Sequence, residues 1–293
     1  MKKERLAKGM LIGAMAIFGT IGIFRKYIPL SSGLVALVRG VVGVLFLLLV
    51  LAVRREKLSL SAIRKNLWLL LISGGLIGFN WILLFEAYNH TSVATATLCY
   101  YMAPIFVTLA APLVLGERLT ARKLITAFVA LFGMVLVSDI LNVGVSDMAE
   151  LRGILLGLGA AALYASVILL NKKLTDISAY DRTVIQLGAA AVVLLPYVLL
   201  TENWSVVTLE PLTIILLLTV GVVHTGAAYA MYFGSMRELS AQTVAIFSYI
   251  DPILAVILSD AILGEPMGLG VIIGGILILG ATLAGELWGE SKS

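Results

Sequence analysis

Ten mostly apolar runs follow one another along this chain of 293 residues, with short connections between them. Each comes close to the roughly 20 residues that carry a helix across a bilayer. They lie near Lys8–Phe24, Ser31–Val53, Leu67–Tyr88, Thr91–Leu115, Arg122–Ser138, Arg152–Leu170, Asp181–Leu200, Leu212–Met236, Ser240–Leu263 and Leu269–Trp288. In all, 60% of the residues are apolar and 13% charged, against about 25% charged in soluble domains. The pattern predicts an all-α membrane protein of ten transmembrane helices. The start Met1-Lys2-Lys3-Glu4-Arg5 resembles a signal peptide, but no small-residue cleavage site ends the run behind it, so it reads as a retained first span. One cysteine, Cys99, excludes a disulfide framework or a cysteine metal site.

The net charge of +4 concerns topology rather than nucleic acid, because the basic residues fall between the runs. With the N-terminus inside, seventeen Lys and Arg residues lie on the inner face and three, Arg25, Lys26 and Arg152, on the outer. That bias predicts a multi-pass protein of the plasma (inner) membrane with both termini cytoplasmic.

The chain also repeats itself. Residues 98–117 read LCYYMAPIFVTLAAPLVLGE and residues 246–265 read IFSYIDPILAVILSDAILGE. An offset of 148 pairs Tyr101 with Tyr249, Pro104 with Pro252, Gly116 with Gly264 and Glu117 with Glu265, and further back Gly78 with Gly226. The halves, 1–145 and 146–293, hold five predicted spans each. An odd number makes the second copy enter the membrane from the opposite side. Such 5+5 inverted repeats recur in secondary transporters, whose sites lie near the midplane between the halves.

The segment AYNHTSVATATLCYYMAPIFVTLAAPLVLGERLT, with AFVALFGMVLV after it, resembles the ten-span EamA-type branch of the drug/metabolite transporter superfamily. Its Thr-Ser-Ala-like start, Pro104 and terminal Leu-Gly-Glu recur in the second copy as Ser240-Ala241, Pro252 and Leu263-Gly264-Glu265. The resemblance implies a metabolite transporter, often an exporter, and leaves the substrate open. Asp251 departs from the pattern: the first copy has Ala103 at that position.

Charged groups inside a span are costly and therefore candidates for function. Asp251 lies about 16 Å into its predicted span, beside a proline that frees a carbonyl one turn back; it suits a cation, a proton or an ammonium group, or else is a neutral, hydrogen-bonded acid. Arg39, about 12 Å deep, could grip a carboxylate as a fork or pair with Glu86 or Asp251; the pair is the expected arrangement. His224, about 18 Å deep, could relay protons, although a lone His on a helix is more often simply hydrogen-bonded. Trp81, Tyr100, Tyr101, Tyr164, Tyr229, Tyr232, Phe247 and Tyr249 gather at mid-depth, as packing or as faces for a cation. Tyr101 and Tyr249, three residues before Pro104 and Pro252, are expected to meet across a pseudo-twofold axis. Glu117 and Glu265, after helix-ending glycines, are expected at the gate edges.

No Ser–His pairing, metal-ligand spacing or phosphate loop is present, and Asp251 and Asp260 are about 14 Å apart along a helix. The expectation is therefore a secondary transporter rather than an enzyme, with no cofactor, no ATP, no metal and no nucleic-acid partner, driven by protons or exchange. A midplane acid, aromatics and an arginine point to an amino acid or related zwitterion. Amines or drug-like cations are the alternative, with an intramembrane enzyme or a passive channel far behind.

Overall fold

A computed structural model describes residues 2–116, 119–137, 148–205, 207–236, 238–239 and 241–290. Among them the regular elements are all helical. In chain order they are α1 (Lys2–Gly19), α2 (Ile21–Lys26), α3 (Ser32–Arg54), α4 (Leu60–His90), α5 (Val93–Tyr100), α6 (Ala103–Leu115) and α7 (Ala121–Val137). Then follow α8 (Met148–Asn171), α9 (Ala179–Thr201), α10 (Pro211–Thr219), a π-helical segment (Val220–Ala227), α11 (Ala228–Met236), α12 (Ala241–Ser248), α13 (Ile250–Leu263) and α14 (Leu269–Glu290).

Eight helical segments among the described residues are long and apolar enough to cross a membrane; α7, with 17 residues, and the apolar part of α14, Leu269–Gly285, fall just short of that length. Several expected boundaries move. The third run starts at Leu60 rather than Leu67, and the sixth at Met148 rather than Arg152. The boundary between the two sequence halves lies outside the described residues.

Two of the expected spans are broken in the middle. One helix stops at Tyr100 and restarts at Ala103; another stops at Ser248 and restarts at Ile250. The cause is local. Pro104 is the second residue of α6, and Pro252 the third of α13. A proline ring has no N–H and excludes the carbonyl four residues back, but it sits comfortably in a first helical turn. Each helix therefore restarts just before its proline, and the carbonyls of Tyr100 and Ser248 lose their usual partners. In a bilayer such backbone is tolerated only where protein or a cavity covers it. At their other ends α6 and α13 stop at Gly116 and Gly264, with φ of +69° and +64°, a left-handed conformation that a Cβ would strain.

The halves interlock. α4 packs along α8 and α9, α3 along α9 and the π segment, α1 along α11 and α13, and α7 along α14. Close approaches come in exchanged pairs. Gly78 faces Leu194 and Gly226 faces Phe46; Gly226 and Leu194 stand 148 positions after Gly78 and Phe46. Gly274 against Val137 and Gly285 against Thr126 make a second such set. Small residues at these crossings let backbones approach, which is what holds helices together in lipid. Of the glycines spaced by four, Gly13, Gly153 and Gly157 touch Met231, Thr91 and Cys99, while Gly9 has nothing within 4 Å.

The two ends of the bundle are tied differently. At the far end, away from the start of α1, Glu265 accepts from Lys26 Nζ at 2.9 Å, from the Val93 N–H at 2.8 Å and from Ser259 Oγ. Thr91 donates to Glu150 at 2.5 Å, Ser31 to Glu202, and Ser32 to Glu86 at 2.8 Å. Buried Arg25 donates to the Ile28 carbonyl and Ser32. At the near end Lys65 meets Asp176 at 2.8 Å, Asn66 brackets Thr175, and Gln186 donates to Ser73 at 2.6 Å and Asn171 at 2.7 Å. These near-end ties stay within α4, α8, α9 and the α8–α9 connection, and Tyr180 of α9 adds a bond to the Leu47 carbonyl of α3 at 3.2 Å.

Candidate functional site

The site forms where the two broken spans meet. Asp251, the second residue of α13, lies in a first turn whose unpaired N–H groups favour a negative side chain. It is only partly covered. The end of α1 comes up against it: a Cβ on Gly19 would stand 2.7 Å from the Asp251 carbonyl oxygen. From the other break, Tyr101 donates its hydroxyl to Asp251 Oδ2 at 3.0 Å, with the freed Ser248 carbonyl as a longer acceptor at 3.4 Å. Among the described residues Oδ1 of Asp251 carries no hydrogen bond.

Tyr101, the first residue of its break, and Tyr249, the single residue of the other, bring their rings to 6.3 Å at 51°. Tyr100 stands edge-on to Tyr101 at 6.3 Å and stacks on Tyr164 at 5.4 Å. Tyr229 lies 5.3 Å from Phe18 and stacks on Phe233 at 5.8 Å. Tyr164 keeps 39% of its surface accessible.

Arg39 enters from α3. The expected pair with Glu86 or Asp251 does not form: Arg39 Nε donates to Thr225 Oγ1 at 2.8 Å, and Glu86 is taken by Ser32, Asn89 and His90. Glu86 belongs to the far end, and the freedom of a long side chain is settled by the nearer hydroxyl. Thr225 passes its own proton to the Val220 carbonyl, five residues back, at 3.1 Å, a spacing that suits the π turn. Gly43 makes room for it, since a Cβ there would meet Thr225 Cγ2 at 2.4 Å. The guanidinium lies over the Trp81 ring at 4.2 Å and within 5.6 Å of Phe85, a cation–π arrangement. Its Nη groups make no hydrogen bond among the described residues, and Asp251, Tyr100 and Tyr229 lie within electrostatic reach of Arg39.

The structure brings Asp251, Tyr101, Tyr249, Tyr100, Arg39, Trp81 and Tyr229 to one region. His224, next to Thr225, makes its own contacts. One ring nitrogen meets Thr20 Oγ1 at 2.9 Å, the other meets the Thr219 carbonyl at 3.4 Å, and Phe24 packs edge-on at 4.6 Å. It clamps the α1–α2 junction to the π segment. Glu265 lies at the far end, as described, and Glu117 lies outside the described residues. Sequence reasoning missed Thr225, whose hydroxyl in an apolar run was the available signal, and undervalued Tyr164. No cluster of three potential metal ligands occurs among the described residues.

The sequence model of the EamA-like transporter family matches this chain twice, over residues 6–139 and 151–284. The chain belongs to the EamA-like transporter family. Relatives within it include a Bacillus subtilis protein described as the uncharacterized transporter YxxF, 28% identical over 90% of this chain and 84% of that one. A Vibrio cholerae protein described as an uncharacterized transporter is 29% identical over 88% and 85% of the two chains. Protein RarD of Salmonella typhi is 26% identical over 91% and 90%. A crystal structure of a protein 19% identical superposes with a TM-score of 0.67, covering 96% of this chain and 98% of that one, which shows a shared fold. This EamA-family protein is accordingly a multi-pass membrane transporter, and the double match coincides with the two sequence halves.

Proposed function

We propose that this EamA-family chain is a secondary transporter of a small zwitterion, an amino acid or a close relative. One midplane site is exposed to each side in turn, and a proton gradient or exchange drives the cycle. The observation that carries the reading is the pairing of Arg39, with two unbonded Nη groups, and Asp251, with an unbonded Oδ1, across an aromatic cluster. A guanidinium fork takes a carboxylate in two parallel hydrogen bonds, and an acid framed by tyrosine faces takes an ammonium group. The exchanged contacts of the two halves support ten spans as a 5+5 inverted repeat, and the Lys and Arg distribution supports both termini in the cytoplasm.

The Asp251 and tyrosine part of the site alone favours a second reading, transport of amines or other organic cations. Calorimetric binding of a panel of free amino acids, their amides and the matching amines to purified protein separates the two. A zwitterion site binds the free amino acids and loses them, by at least about tenfold, in both Asp251→Asn and Arg39→Gln. If amines bind best and Arg39→Gln leaves binding unchanged, the zwitterion reading is wrong.

A further inference from the structure

Only three Lys or Arg residues fall at the far end, Arg25, Lys26 and Arg152. Two of them are engaged. Arg25 donates to the Ile28 carbonyl and Ser32, and Lys26 meets Glu265. Arg152 is exposed and makes no hydrogen bond or ion pair among the described residues. It is the fifth residue of α8, close to the helix start, where the positive end of the dipole disfavours a cation. Neither a partner nor the helix accounts for it.

The space beside it has a matching chemistry. A cavity of about 620 Å³ lies between α4 and α8, within the range of small-molecule sites, about 300–1,000 Å³. His90 and Arg152 line it, and the other lining side chains are apolar, among them Leu83, Leu151, Leu155 and Leu156, with no acid. Leu83 settles against Gly159, where a Cβ would stand 3.3 Å from it. Met148, Arg152 and Leu155 follow one another at the spacing of a single helix face, and all three are exposed. The cavity is therefore a groove on the outside of the bundle, apart from the tyrosine-lined site.

Side chains on a helix lean toward its N-terminus, so Arg152 carries its charge toward the far-end surface while its stem covers apolar neighbours. Tyr27 and Trp204 are exposed at the same end, as aromatic residues at headgroup level are. His90 Nε2 meets Glu86 Oε1 at 3.3 Å, and its other ring nitrogen makes no hydrogen bond among the described residues.

We infer that this groove holds a phospholipid with an anionic headgroup, its phosphate on Arg152 with His90 beside it and an acyl chain along the leucines. The groove would serve in this way whatever solute the midplane site takes.

A fluorophore at Ala162→Cys on a Cys99→Ser background tests it. Ala162 is exposed seven residues beyond Leu155, on the same face of α8, so the label watches the groove without filling it. The protein is placed in phosphatidylcholine nanodiscs with a small fraction of phosphatidylglycerol or phosphatidylcholine carrying a nitroxide on the acyl chain. Phosphatidylglycerol should reach half-quenching at a roughly fivefold lower fraction, about what one Lys or Arg contributes toward anionic lipid. Arg152→Gln should remove most of that preference and Arg152→Lys keep part of it. Arg64→Gln, an exposed cation at the near end of α4, should leave it unchanged. Leu155→Trp, which fills the groove, should weaken quenching by phosphatidylglycerol. Equal quenching by the two lipids overturns the inference, and so does a preference that survives Arg152→Gln or falls as far in Arg64→Gln. A preference erased by excess glycerol phosphate would make the groove a site for a soluble anion, and a label shielded from both lipids would place a second copy of the chain over it; either result removes the lipid.

Discussion

The far and near ends of this bundle use their polar residues differently. At the far end one carboxylate, Glu265, joins α2, α5 and the end of α13. These elements come from both halves of the chain, so the far end is laced across the seam. At the near end, among the described residues, Lys65, Asn66 and Gln186 also join the two halves, but within the packed group of α4, α8 and α9, and Tyr180 ties α9 to the Leu47 carbonyl of α3. Hydrogen bonds that gather helices of different packing groups resist their parting, whereas bonds within one packed group hold that group together.

Glu265→Gln tests that contrast with the largest effect. It removes the charge that holds Lys26 and the Val93 N–H, a loss of about 1.5–3 kcal/mol for a charged hydrogen-bonding group. Amide exchange should rise at Val93–Thr95 and at Ser259–Gly264, and transport should fall. Exchange unchanged in both segments would mean that Glu265 does not close the far end. Gln186→Leu sharpens the comparison from the other side. It strips a donor from Ser73 and Asn171 and should lower stability by about 1–2 kcal/mol, read as a lower thermal midpoint, yet leave far-end exchange as it was. A rise in far-end exchange would show that the ends are not independent.

The smallest effect belongs to Lys65–Asp176. The hydrogen bond and charge of Lys65 hold the Asp176 carboxyl below its usual value of about 3.8. A carboxyl lowered in the folded state stabilises above its unfolded value, and that contribution is lost as pH falls through the lowered one. Both groups are exposed, so Asp176→Asn should barely move the thermal midpoint at neutral pH, and not at all at about pH 2 or in 1 M salt. A clear shift at neutral pH would make the near end more tightly held than its bonding suggests.

Hydropathy made the helical, multi-pass character of the chain legible, because lipid imposes the same demand on every span. The two prolines showed where the fourth and ninth runs break, to within three residues, since the ring acts on the turn just before it. The partner of Arg39 could not be read in the same way. Thr225 is 186 positions away, and which hydroxyl or acid a long side chain reaches depends on how α3 crosses the π segment at Gly43. Glu265 reads in sequence as a residue after a helix stop; that its carboxylate covers the first N–H of α5 follows only from three elements ending together. His224 follows the reading of a lone His on a helix as a hydrogen-bonded residue: its ring nitrogens meet Thr20 and the Thr219 carbonyl.

The π segment holds one residue of slack. An ordinary helix spends 1.5 Å and 100° on each residue, so if the bonds of Val220–Ala227 moved from five residues back to four, α11 would turn and slide by about that much with no covalent change and no loss of bond count. Tyr229 and Tyr232 ride on α11, and Thr225, which aims Arg39, sits inside the segment itself. A single change of bonding register would thus turn the arginine's anchor and two of the tyrosines together. Faster amide exchange across Gly221–Thr225 than in α10 would be the mark of that register coming loose.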